Sequence, residues 1–142
     1  TTSSAGNGNE FQTFRHNTTQ IGSITLSGTT GTSYNTSSDY RLKENVDYAW
    51  NATTRLKQLK PCRFNWISDS SNTLEDGFLA HEVQTVVPNA VLGTKDQMEN
   101  YVDDEGETQQ RIKAQQIDHS KLVPLLVKTI QELEARITVL EG

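Results

Sequence analysis

Ser38 and Lys43 stand five residues apart in the stretch Ser38-Asp39-Tyr40-Arg41-Leu42-Lys43. A serine hydroxyl attacks a carbonyl only when a base takes its proton, and a lysine amine stripped of water is one such base. The nearest carbonyl to the Ser38 hydroxyl is that of Ser37, its covalent neighbour. Attack there closes a five-membered ring and shifts the acyl group from nitrogen to oxygen, and water can then hydrolyse the ester. Nucleophile and target share one chain, so bringing them together costs almost nothing. The base is the limiting part. A lysine in water gives up its proton only at about pH 10.4, so Lys43 has to lose its hydration on folding to act near neutrality. Catalysis would then be tied to assembly. Spacing alone does not select this chemistry: in a chain rich in serine and with 13 basic residues, solvated surface groups explain the pair better.

The elements that would position the pair change character at the same place. Residues 1–37 are a tract of Ser, Thr, Gly and Asn with one acid (Glu10) and one base (Arg15), while residues 38–142 carry the whole net charge of −5. A chain of 142 residues with 33% hydrophobic content fits one modest domain with an appended segment, and it is lean enough for burial between chains to matter. The acidic balance argues against a nucleic-acid surface and against anionic membranes. No apolar run of the length needed to span a bilayer is present. The chain starts on Thr1, so it is expected to be a piece of a longer polypeptide. Cys62 is the single cysteine, which excludes an internal disulfide and reads as a small buried hydrophobe.

In residues 1–37 the sparse apolar positions Phe11, Phe14, Ile21, Ile24 and Leu26 cannot bury enough area to fold alone. The tract is either a flexible linker or a set of short strands that pair with other chains; the β-prone run Ile21–Leu26 favours the strands. Further on, Asn51 is a candidate cap for a helix through Thr54, Leu56 and Leu59, stopped by Pro61. Residues 62–67 alternate as a strand, and residues 77–87 have helical spacing, ended by Pro88. Met98 to Ile117 reads as a β-hairpin turning at Asp103-Asp104-Glu105-Gly106. The fold class is therefore α+β.

The clearest element lies at the end. Val123, Leu126, Ile130, Leu133, Ile137 and Leu140 follow 3-4-3-4-3 spacing, the a/d seam of a coiled coil over about residues 118–141. Arg136 falls at g and Glu141 at the next e, where they can pair between parallel helices. The competing reading is an amphipathic helix packed on its own domain. Pro124 marks the first turns, and Asp118 or Ser120 is the cap.

Ser38-Asp39-Tyr40-Arg41-Leu42-Lys43-Glu44-Asn45-Val46 resembles the signature S-D-x-R-x-K-x-N followed by Ile or Val of the peptidase S74 family. These are C-terminal intramolecular chaperone and self-processing domains of phage tailspikes, endosialidases and neck-appendage proteins, with a similar domain in a eukaryotic membrane-bound transcription factor. Gly77-Phe78-Leu79-Ala80-His81-Glu82-Val83 to Pro88 is similar to a second stretch of that family, and Lys121-Leu122-Val123-Pro124-Leu125-Leu126 to a third. His81 stands where the family commonly has Gln, and Asp118 where it commonly has Tyr; His81 is given no catalytic role.

The resemblance implies a self-cleaving serine endopeptidase acting once in cis. Ser38 is its nucleophile, Lys43 the partner and Ser37–Ser38 the scissile bond. Asp39 and Arg41 are implied to position the dyad, with Asn45 and Glu82 in support. It implies residues 1–37 as the end of a triple-β-helix-like stalk and residues 38–142 as the chaperone domain. The partners are two further copies of the chain and its own upstream stalk, with no nucleic acid and no membrane. The implied setting is a phage virion precursor, the released domain being free in the host cytoplasm. The trimer comes from the resemblance alone, since Ile at a with Leu at d tends toward dimers. A permanent, non-catalytic trimerisation and tip module is the alternative, and an enzyme cutting other substrates in trans is a third class. No cofactor and no metal is expected: His16, His81, His119 and Cys62 are too scattered, and the acidic turn lacks the alternation of a calcium loop. The sequons at Asn17, Asn35 and Asn51 fit chance in a chain rich in Asn and Thr, and Trp50, Phe64 and Trp66 read as packing residues.

Overall fold

The computed structural model describes residues 10–142. The chain forms two compact units, Thr1–Tyr48 and Ala49–Gly142. The composition boundary at residue 38 thus falls inside the first unit.

The first unit is an antiparallel meander of β1 (Glu10–His16), β2 (Thr19–Ser27) and β3 (Gly31–Thr36), in that spatial order. Local turns close it. Asn17 takes φ 53° between β1 and β2, and Gly28 takes φ 64° after β2, the left-handed conformations that Asn and Gly adopt most readily. The expected strands are therefore present, but they pair within one chain rather than waiting for other chains. The reason is that hairpins of two or three loop residues cost little closure entropy. In the ladder Ile24 lies opposite Tyr34 and Leu26 opposite Thr32. Gly22 is needed where β2 and β3 approach closely, since a Cβ there would come within 2.8 Å of the Asn35 carbonyl oxygen. The strands pair through most of their length, with register shifts between Glu10 and Gln12 and between Phe14 and Arg15, yet Ser23 is the one buried side chain of the described sheet, while Phe11, Phe14, Ile21 and Tyr34 are exposed. The sheet has no core of its own.

The second unit is α+β. It contains helices α1 (Thr53–Leu56), α2 (Ala80–Val86) and α3 (Val123–Glu141) and three two-stranded antiparallel ladders. β4 (Cys62–Phe64) pairs with β5 (Glu75–Gly77), β6 (Val91–Leu92) with β9 (Gln116–Ile117), and β7 (Met98–Val102) with β8 (Thr108–Ile112). Its core is Ala52, Val83, Val86, Val87, Ala90, Leu122 and Leu125, with Trp50, Leu56, Leu59, Phe78, Val91 and Ile117 packed around it. The three helices, β6 and β9 each contribute a short apolar face to it, as the layer rule requires.

Several boundaries move. Asn51 Oδ1 accepts the Thr54 N–H at 3.0 Å, as a capping residue does. The helix ends at Leu56, and tighter turns, Gln58 N–H to Arg55 O and Leu59 N–H to Leu56 O, carry the chain to Pro61. The strand at 62–67 stops at Phe64, because a turn closes between Trp66 and Asp69. Gly77 belongs to β5 rather than to a helix: it pairs with Cys62 and leaves room for the Phe64 ring, which a Cβ would meet at 3.0 Å. The helix begins at Ala80. The hairpin turns where expected, with Gly106 at φ 87°, but Gln116 and Ile117 leave it to pair with β6. Asp118 caps the 3-10 turn that feeds α3, accepting the Ser120 N–H at 3.0 Å and hydroxyl at 2.6 Å, and Pro124 sits in the first helical turn.

Candidate functional site

The Ser38–Lys43 segment follows directly on the sheet. The last bond of the β2–β3 ladder region is Ser37 N–H to Ile21 O at 3.0 Å, so the Ser37–Ser38 peptide leaves the sheet edge with its upstream residue held. Asp39 then starts a 3-10 turn over Tyr40–Leu42. Its Oδ1 accepts the Arg41 backbone N–H at 2.9 Å, and its carboxylate is gripped by the Arg41 guanidinium, Nε to Oδ1 at 3.0 Å and Nη2 to Oδ2 at 2.7 Å. Leu42 N–H to Asp39 O and Lys43 N–H to Tyr40 O, both 3.1 Å, complete the turn. One turn of 3-10 helix reverses the chain enough to bring position 43 back over position 38. Lys43 Nζ lies 2.7 Å from Ser38 Oγ, a hydrogen bond of the length a proton relay needs. Asn45 follows at φ 52°, a left-handed residue of the type that tolerates it, and redirects the chain after the dyad.

The electrostatics of the turn favour a fixed Asp39 charge. The Arg41 guanidinium, then the Arg41 backbone N–H, hold the Asp39 carboxyl below its ordinary value, and Asp39 in turn raises Arg41. Asp39 and Arg41 therefore shape the turn that delivers Lys43. Ser38 and Lys43 are both exposed in the single chain.

The remaining sequence candidates lie in the second unit. Glu82 sits in the first turn of α2 and pairs with Lys60 Nζ at 3.0 Å. His81 beside it is half-buried. Cys62 is half-buried, with its Sγ donating to Gly77 O at 3.5 Å. Phe64 meets Trp66 edge-on at 5.2 Å, and Trp50 packs on the core, while Trp66 stays largely exposed. Among the described residues no group of three His, Cys, Asp or Glu side chains is placed to hold a metal ion, and no helix is long and apolar enough to cross a membrane.

α3 presents two faces. Leu122, just before it, and Leu125 and Thr129 on it are buried against its own domain. The six residues of the a/d stripe are all exposed, from 41% at Leu133 to 84% at Leu140. The stripe is therefore not the face packed at home. The residue that sequence reading missed is Glu132. Its carboxylate accepts Ala52 N–H at 2.8 Å, Thr53 N–H at 2.8 Å and Thr53 Oγ1 at 2.6 Å, closing the start of α1 from nearly eighty residues away. Those donors, led by the Ala52 N–H, hold the Glu132 carboxyl down to about 2. Its c position in the heptad gave no sign of this partner.

Residues 38–92 match the model of the peptidase S74 family, described as chaperone of endosialidase. The likeness read from the motifs thus holds over the dyad, the turn, the core-forming α1 and α2 and the strands between them. Over that stretch the chain is similar to a family named for peptidase activity and described by a chaperone role. α3 and the residues leading into it lie beyond the matched stretch. No curated protein matches the chain.

Proposed function

We propose that the chain is a self-associating intramolecular chaperone that releases itself from an upstream β-stalk by cutting Ser37–Ser38. The Lys43–Ser38 hydrogen bond of 2.7 Å carries this reading. As the Ser38 Oγ bonds to the Ser37 carbonyl carbon, its proton passes to the Lys43 amine. The Lys43 ammonium returns that proton to the Ser38 nitrogen as the C–N bond breaks. Water then hydrolyses the resulting ester, leaving a Ser37 carboxylate and a Ser38 with free amine and restored hydroxyl. Lys43 has to be neutral to take the proton, and exclusion of water favours the neutral amine. Ser38 and Lys43 are exposed in one chain, so this reading requires assembly to supply the exclusion.

The assembly is a homotrimer joined through Val123, Leu126, Ile130, Leu133, Ile137 and Leu140. The exposure of this stripe supports the seam, and the family likeness supports the number. Such a seam raises the local concentration of the three stalks, whose pairing is otherwise slow. The likeness to the family supports a setting in a bacteriophage fibre or appendage, and the chemistry needs no cofactor.

A second reading, a permanent trimerisation module without catalysis, is favoured by the same exposure of Ser38 and Lys43. A denaturing gel separates the two. The proposed function requires a fragment starting at Ser38, lost in Ser38→Ala and slowed at least ~100-fold in Lys43→Ala. A chain that assembles and stays intact establishes the second reading.

A further inference from the structure

α3 carries two heptad stripes one residue apart. The outer one is the a/d set from Val123 to Leu140. The inner one runs Leu122, Leu125, Thr129, Glu132, Arg136 and Val139 with the same 3-4-3-4-3 spacing. Turning the helix by one residue, about 100°, exchanges them. Both stripes begin apolar, so hydrophobicity at the start of α3 does not by itself decide which one faces a neighbour.

We propose that Glu132 is the positioning residue that decides it, an inference that rests on the self-association reading above. α1 offers free N–H groups at Ala52 and Thr53 and has no side-chain cap at Ala52; such groups require acceptors. Glu132 supplies both acceptor oxygens and binds the Thr53 hydroxyl as well. Rotation of α3 about its axis would orphan these donors and carry a carboxylate into an apolar seam. The inner stripe is thereby committed to the chain's own domain as far as Glu132, with Leu125 at 3% and Thr129 at 2% exposure, while Arg136 and Val139 beyond it are exposed, and the outer stripe is left to meet a second copy. A single polar residue at a heptad position is a known way to fix register. Here it acts by anchoring the face that must not pair.

Cysteine cross-linking of the full chain tests this, in a Cys62→Ser background under mild oxidation. With Glu132 present, Ile130→Cys is expected to give disulfide-linked chains and Thr129→Cys only background. With Glu132→Leu, Thr129→Cys is expected to cross-link at a level near that of Ile130→Cys, because both stripes are then free to pair. Glu132→Gln, which keeps the shape but weakens the acceptors, is expected to give an intermediate rise and serves if the leucine variant does not fold. If Ile130→Cys cross-links and Thr129→Cys stays at background in both variants, Glu132 does not choose the face and the inference is overturned. If Ile130→Cys itself fails to cross-link, the self-association reading fails, and the inference falls with it.

Discussion

The two units of this chain divide chemistry from stability. The first holds the candidate dyad on a sheet that pairs along β1–β2–β3, with two irregularities in the β1–β2 ladder, but whose described residues bury one side chain, Ser23. The second has a core of seven buried apolar residues around Val83 and none of the dyad. Isolated ladders without a packed face are marginal in water, so the unit with the reactive groups depends on company more than the other does. Even the second unit leaves one face unfilled, the outer stripe of α3. Under the proposed function, this division suits a cut that waits for assembly.

The sharpest break between the units is expected from Ser38→Ala. Fragment release should vanish on a denaturing gel, while the thermal melt of the second unit stays unchanged. Next comes Ile130→Asp, which puts a charge into the exposed stripe. Sedimentation should show loss of the oligomer, and circular dichroism an intact fold, because Ile130 is 64% exposed in the single chain. Val83→Ala should do the reverse. With Val83 at 1% exposure, its loss is expected to cost the second unit about 2 kcal/mol in urea unfolding, leaving the sheet of the first unit unaffected. The smallest effect is that of acid. The folded Glu132 carboxyl titrates at about 2 against an ordinary 4.5. Its contribution is therefore full above about pH 4.5 and is lost as the pH falls toward 2. Asp69, held at about 2 by its hydrogen bonds to Ser71 and Thr73, acts in the same window. Glu132→Gln should make the acid unfolding curve of the second unit shallower, with the remaining slope due to Asp69 and to Asp76, Asp103 and Asp118, whose carboxyls are also held below their ordinary value by hydrogen bonds.

The legible parts of this molecule are those whose cause is local. The five-residue spacing of the candidate dyad, the turn at Asp103–Gly106 and the start of α3 around Pro124 are all set by residues within a few positions of one another. Asp39 and Arg41 were legible as supporting residues, though the motif did not tell that they do so by building a 3-10 turn. What escaped is non-local. Glu132 reads as a solvent position on a heptad wheel, and its partners Ala52 and Thr53 are far away in sequence. Gly77 reads as the start of a helix because Phe78, Leu79 and Val83 have helical spacing, but pairing with Cys62 pulls it into a strand. The strands of the first unit were legible as strands. Their partners were not, since composition cannot tell a hairpin within a chain from pairing across chains.

The most direct test of the link between the units is the rate at which the fragment 38–142 appears, followed by intact mass. The full chain should be compared with Ile130→Asp at equal concentration. The account predicts release that speeds up with protein concentration in the parent chain and is absent in the variant, whose Ser38 and Lys43 are untouched. Release at the same rate from the unassembled variant, or none from the assembled parent, would contradict it.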